Sequence, residues 1–321
     1  MKKQIFGPPV VALSVRSSNS LLAAAVLGWV VVVLFAITSQ QAPAATFDLG
    51  SANGFGILEL GSASQGYNVS LAQGGQAGKI NGNVGIGPKG SISDNAGLPP
   101  TSEPINGSVY LYNNASQSGL VAGGNVSGTI NQGLATDAYL NAAIASALGV
   151  ASSAQSGAIY HTDITAGGTI STPGDYSLSQ INLGNHAVLT LQGSASDYYI
   201  FNISDKLVLN SASIVLSGGI GASHVLFNLT GTGGFSASGG IANGLNPPGD
   251  ESVLYGVVLA PDSQISLTPG AVVGELIGGM NINIASGASI EVSSVPDGGS
   301  SLVLMGMGLG LLGLVKAKLI S

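Results

Sequence analysis

The chain has no cysteine, so neither disulfides nor thiolate metal sites are available to it. Charge is scarce, at 7% of 321 residues, and positive charge is scarcest in the middle. Of eight basic residues, Lys2, Lys3, Arg16, Lys316 and Lys318 lie at the two ends; only Lys79, Lys89 and Lys206 lie between. With a formal net charge of −7 the body has no cationic footprint for nucleic acid. The body also has no arginine, which excludes an arginine-assisted polysaccharide lyase. Its three histidines, His161, His186 and His224, show no H-x-x-x-H or H-E-x-x-H spacing and read as surface or corner residues. Calcium loops, G-x-S-x-G, P-loop and Rossmann patterns are missing too, so no metal or cofactor is implied.

A β-helix glycosidase would need paired carboxylates about 5–9.5 Å apart. The carboxylates here come mostly singly: Asp163, Asp175, Asp197, Asp205, Asp262 and Glu275, with Asp250-Glu251 adjacent in a Pro-Gly loop. No catalytic residue is assigned, and an enzyme is not expected.

What the chain has is glycine, 50 residues of it, and repetition. Ile265-Ser-Leu-Thr-Pro-Gly-Ala-Val-Val273 recurs 17 residues later as Ile282-Asn-Ile-Ala-Ser-Gly-Ala-Ser-Ile290. Each copy reads as a strand, a Gly-Ala corner and a second strand, with alternate apolar residues inward. Gly270 and Gly287 are placed at the corners for a positive φ, and Ala271 is matched to Ala288. Looser copies are Ile181–Leu191 and Leu207–Leu216. Ile80-Asn-Gly-x-Val and Ile105-Asn-Gly-x-Val read as related coils, with 121–130 a third. Phe201-Asn-Ile203 and Phe227-Asn-Leu229 read as equivalent strands whose asparagines either form an amide ladder or face water. One such unit cannot bury its apolar side alone; a stack of them can.

Thr136 to Leu148 breaks the pattern. Leu140, Ile144 and Leu148 form a helical stripe beside Ala143 and Ala147, with Thr136 as N-cap and Gly149 as stop. The fold class is therefore mostly β: a β-solenoid (parallel β-helix) with one α-helix packed alongside, plus an N-terminal signal helix and a C-terminal membrane helix.

The ends carry the targeting. Basic residues, the apolar run Leu21–Ile37 and Ala42-Pro-Ala-Ala45 make a signal peptide with cleavage after Ala44 or Ala45. At the other end Val295, Pro296, Asp297, Gly298 and Gly299 precede an apolar run, Leu302–Val315, closed by the basic residues Lys316 and Lys318. The expected organisation is signal 1–44, N-terminal solenoid part 46–133, helix 134–150, main solenoid 158–293 and sorting signal 294–321.

The tail resembles the PEP-CTERM class of bacterial sorting signals in its Val-Pro-Asp-Gly-Gly variant, with lysines where arginine is common. That resemblance implies a membrane-held intermediate, a cell-surface or extracellular destination and an exosortase-type processing enzyme as partner. The body resembles the choice-of-anchor A and bacterial ice-binding-protein-like domains. The resemblance rests on Asp197-Tyr-Tyr-Ile-Phe-Asn-Ile203, His224-Val-Leu-Phe-Asn-Leu-Thr230 and Tyr255-Gly-Val-Val-Leu-Ala-Pro-Asp262. It implies a β-solenoid with a long helix along one side.

An ice-contacting face calls for a flat row of small hydroxyl or methyl groups, repeated coil after coil. The outward residues of the apolar-x-apolar strands are Asn182, Val208, Ser266 and Asn283, which make no threonine row. The sequence thus favours an exported structural or adhesive protein, with surface polysaccharide or matrix as its partner and no thermal hysteresis. Ice binding is the alternative, and a β-helix polysaccharide-active enzyme the second.

The exported chain is expected to begin at Ala45 or Thr46, where a small-x-small site follows the apolar run. N-terminal peptide mass spectrometry checks this; peptides from Leu21 to Gln40 in the exported protein would refute it.

Overall fold

Three short strands and three corners make one circuit of this chain. In a computed structural model, the circuit Val257–Ala260, Ile265–Thr268, Ala271–Val273 lies against the next, Leu276–Gly278, Ile282–Ile284, Ser289–Glu291. The structure describes residues 47–61, 64–71, 79–94, 105–154, 159–239, 252–285 and 287–292. Every strand pairing among the described residues is parallel and joins one circuit to its neighbour.

Three faces result. The first holds Val225–Leu229, Val257–Ala260, Leu276–Gly278, Phe55–Glu59, Asn83–Ile86, Val109–Leu111 and Ile130–Gln132. The second holds Gly234–Ser238, Ile265–Thr268, Ile282–Ile284, Asn68–Leu71, Ser91–Asp94 and Ser116–Ser118. Strands Gly174–Gly184 and Tyr199–Asn210 run on from the first face into the second, the former bulging between Leu178 and Gln180, so the two faces form one sheet. The third face is a separate sheet: Gly168–Ile170, Val188–Gln192, Ser213–Ser217, Val253–Tyr255, Ala271–Val273, Ser289–Glu291, Lys79–Asn81 and Ile105–Asn106.

Strand alternation turns the sequence repeat into columns of buried side chains. On the second face Ile181, Leu207, Phe235, Ile265, Ile282, Val69 and Ile92 stack in register, each at most 2% exposed. On the first face Tyr176, Phe201 and Phe227 stack their rings at 5.2 and 5.3 Å. The paired motifs fall where the repeat places them: Ile80 opposite Ile105 and Val84 opposite Val109. The 17-residue match holds for Ile265 and Ile282 but slips after the corner. Ala271 pairs with Ser289, not Ala288, because the second corner is one residue longer. Gly287 has φ +79 as expected, whereas Gly270 is needed for room. A Cβ there would lie 3.0 Å from Leu267 Cδ1 and from the Ser252 carbonyl oxygen.

The helix, Leu134–Ser153, lies on the first face. At 1.5 Å per residue it is about 30 Å long, some six strand spacings. Leu140, Ala143, Ala147, Val150 and Ala151 are its buried side, packed on Phe55, Leu58, Ile200, Leu226, Val257, Leu259 and Ile277. Leu148, placed in the stripe by spacing, is 44% exposed, because the alanines let the backbone itself approach the sheet. Two further corrections follow. Thr136 sits inside the first turn, the cap position being Gly133, and Gly149 does not stop the helix. The last carbonyls are taken up by the sheet instead. Asn202 Nδ2 donates to the Ala154 carbonyl at 2.6 Å, and Asn228 Nδ2 donates to that of Ala151 at 3.0 Å. Asn228 Nδ2 also donates to Asn202 Oδ1 at 2.8 Å, and Asn202 Nδ2 to Asp175 Oδ1 at 2.7 Å. The asparagines are an amide ladder, buried under the helix end.

The stack is not in chain order. The first strand, Phe55–Glu59, pairs on one side with Asn83–Ile86 and on the other with Leu276–Gly278 of the last circuit. Val69 likewise meets Ile282, and Ile290 meets Ile80. The N-terminal circuits therefore extend the stack beyond its C-terminal end. The helix carries the chain back so that the circuits from 159 onward can fill the other half.

Asn202→Ala should cost about 2–4 kcal/mol in chemical denaturation, since it strands a helix carbonyl and two buried side chains at once. Ser236→Ala, on an uncovered face, should change stability by less than about 0.5 kcal/mol. Equal losses would refute the ladder.

Candidate functional site

Among the described residues the helix covers the first face and nothing covers the second and third, which differ in chemistry. On the second face the outward residues Asn182, Val208, Ser236, Ser266, Asn283, Ser70, Ser93 and Ser118 stand in one row. Lys206 brings a charge beside them. Polar groups of this face bond one another: Ser91 Oγ to Asn68 Oδ1 at 3.0 Å, and Ser266 Oγ with Thr268 Oγ1 at 3.2 Å.

The third face has two adjacent outward rows. Val188, Ser213, Val253, Ala271 and Ser289 form one; Thr169, Thr190 and Val215 start the other, which Tyr255 and Val273 carry on one residue past the Ile214–Leu254 pair. No register shift interrupts the pairings from Gly168 to Glu291, so the rows run straight. Neighbours along a row are about 4.8 Å apart and the rows about 6.7 Å apart. Tyr255 is the one large ring in the array. Charge enters only at the far end, with Glu291 and Lys79. Val188 is 49% exposed, so its methyl groups face solvent here. Water over such an array is not drawn into the hydration shell of an ion.

Reading apolar-x-apolar strands alone had sampled one row of the second face. The third-face rows lie in the strands after the corner, Val188-Leu-Thr190, Ser213-Ile-Val215 and Ala271-Val-Val273. There the residues flanking the inward one are themselves small or β-branched. That doubled pattern was the available signal.

Among the described residues no three His, Cys, Asp or Glu side chains converge on one point. His161, His186 and His224 lie apart: His161 beside Tyr176, His186 at a corner with φ +60, His224 in a short 3-10 turn. Among the described residues the carboxylates form no open pair, but four are buried: Glu59, Asp94, Asp175 and Glu275. Burial pushes Glu59 up to about 7, against the N–H groups of Gly61 and Gly87 that it accepts at 2.8 and 3.0 Å. Burial pushes Glu275 up to about 8, against the N–H of Gly54 at 2.8 Å. Asp175 rises to about 6 by burial, opposed by Asn202. Glu59 and Glu275 both sit where the last circuit meets the first. The expected cleavage residues Ala44 and Ala45, the motif Val295–Gly299, and Lys316 and Lys318 lie outside the described residues.

A parallel β-solenoid of three faces, with one long helix on a face and its first circuit docked on its last, is the class this chain defines. Residues 66–286 match the family model described as Ice-binding-like, well over half of the sequence, and the chain belongs to that family. Residues 294–319 match the VPDSG-CTERM motif. That motif marks an exported, surface or extracellular protein handled by a sorting enzyme. Among solved structures, the fold is similar to an ice-binding protein from the Antarctic ascomycete Antarctomyces psychrotrophicus, at 23% identity and TM-score 0.52, over 78% of this chain and 100% of that one. It is similar to the ice-binding protein LeIBP from an Arctic yeast, at 18% identity and TM-score 0.54, over 78% and 96%. A third is an ice-binding protein from an Antarctic biological consortium, at 21% and 0.52, over 79% and 94%. No curated protein matches by sequence. Family membership overturns the structural or adhesive role favoured by the sequence and supports its alternative, ice binding.

Glu59, Asp175 and Glu275 set a pH dependence. Their folded pKa values lie above their unfolded ones, so the stability they contribute is full below about pH 4 and is lost as pH rises through about 6, 7 and 8. The thermal midpoint should fall between pH 5 and pH 8.5, and Glu59→Gln with Glu275→Gln should flatten the slope. A midpoint that rises across this range would contradict the burial of these groups.

Proposed function

We propose that this protein is a non-catalytic, exported ice-binding protein and that the third face is the surface that meets ice. The observation that carries the reading is the straight, uncharged double row of methyl and hydroxyl groups from Thr169 to Ser289. Strand pairing fixes the spacing along each row, so order is imposed on overlying water by the backbone ladder and not by mobile side chains. Family membership supports the same ligand. The second face, with its amides and Lys206, hydrates in the ordinary way. For the ends, the reading is a leader 1–44 removed on export and a tail 294–321 that holds the protein in the inner membrane until an exosortase-type enzyme cuts it.

Purified protein should shape ice crystals and show thermal hysteresis. Val215→Lys, which sets a charge in the centre of the third face, should lower hysteresis several-fold with the fold intact by circular dichroism. Ser236→Lys on the second face should leave it near the parent value. Parent protein without ice shaping would refute ice binding; loss in Ser236→Lys alone would move the site to the second face.

A further inference from the structure

The segment Phe47 to Asn53 runs along the corner where the third face turns into the helix-covered face, and it closes a cavity of about 320 Å³. One wall is aromatic. Tyr198 stacks on His224 with ring centroids 4.2 Å apart, and Phe47 meets Tyr198 edge-on at 6.0 Å. His224 Nδ1 lies 3.1 Å from the Asp197 carbonyl oxygen, which fixes its ring. Acids line the cavity as well. Asp48 lines it with Oδ1 accepting the Gly50 N–H at 2.8 Å. Glu275 lines it too and is 4% exposed; its Oε1 accepts the Gly54 N–H, and its Oε2 is buried with no hydrogen-bond partner. Among the described residues neither lysine nor arginine lines the cavity.

We propose that this cavity is a site for a primary ammonium group, seated between the Glu275 carboxylate and the rings of Phe47, Tyr198 and His224. An N–H⁺ donor satisfies the orphaned Oε2 and offsets the cost of burying that charge. Aromatic faces add attraction for a cation within about 6 Å. Burial alone pushes Glu275 up to about 8, and a cation beside it acts in the opposite sense. Two sources supply this chemistry. One is the chain's own α-ammonium: cleavage after Ala44 or Ala45 puts it one or two residues before Phe47, roughly 4–7 Å along an extended backbone. The other is a free small amine.

The test follows Glu275 ionisation by carboxyl carbon-13 resonance near pH 6.5, assigned with Glu275→Gln. It uses the uncut full chain and the product of its cleavage by signal peptidase. The uncut chain should hold Glu275 protonated and ionise it saturably with methylammonium chloride at constant ionic strength. Its thermal midpoint should rise by roughly 2–4 °C, a rise that Glu275→Gln removes. If the cut chain shows Glu275 ionised without added amine, the ammonium is the protein's own. If the cut chain needs methylammonium, the ligand is a free amine. Glu275 protonated in both chains at saturating methylammonium overturns the proposal, as does an equal thermal response in Glu275→Gln.

Discussion

The fold depends on one junction, where Phe55–Glu59, Asn68–Leu71 and Lys79–Asn81 pair in parallel with Leu276–Gly278, Ile282–Ile284 and Ser289–Glu291. It joins two runs of circuits that the chain makes far apart in sequence. Without it Leu276 and Ile277 would sit at a raw sheet edge, and so would Ile57 and Leu58. Glu275 spans the same junction to reach the Gly54 N–H, and Glu59 closes the next corner through Gly61 and Gly87. Two buried acids at the junction are costly, and they put pH sensitivity there, beside that of Asp175 under the helix end.

The helix solves a related problem. A sheet face of Ile200, Leu226, Val257, Leu259 and Ile277 needs a cover, and the helix supplies one made largely of alanine. Its carbonyls are received by Asn202 and Asn228, so sheet and helix are locked by hydrogen bonds where no side-chain bulk is available. Covering one face also decides which surfaces remain for a ligand.

Local repetition was legible in the sequence, because alternation and in-register stacking both act residue by residue. Ile265 over Ile282, Phe201 over Phe227 and Ile80 over Ile105 are all as their motifs imply. Circuit order was not legible: the strand at Phe55 shows nothing of its partner at Leu276, since apolar alternation is the same for any neighbour. Which face an outward residue serves was hidden for a similar reason. Val208 and Val215 look alike in the sequence, yet a corner between them turns them onto different faces. The end of the helix was hidden too, because tertiary partners for Ala151 and Ala154 outweighed the local stop at Gly149.

The junction of first and last circuits also dictates how the chain can be made. In an ordinary solenoid each new repeat docks on the one before it, and order can spread along the chain as it emerges. Here the circuits at 55–132 present an unpaired edge until residues 276–291 arrive. The contacts that complete them span more than 200 residues, and such closures are slow. The leading half therefore cannot complete its sheets before the trailing half has been made.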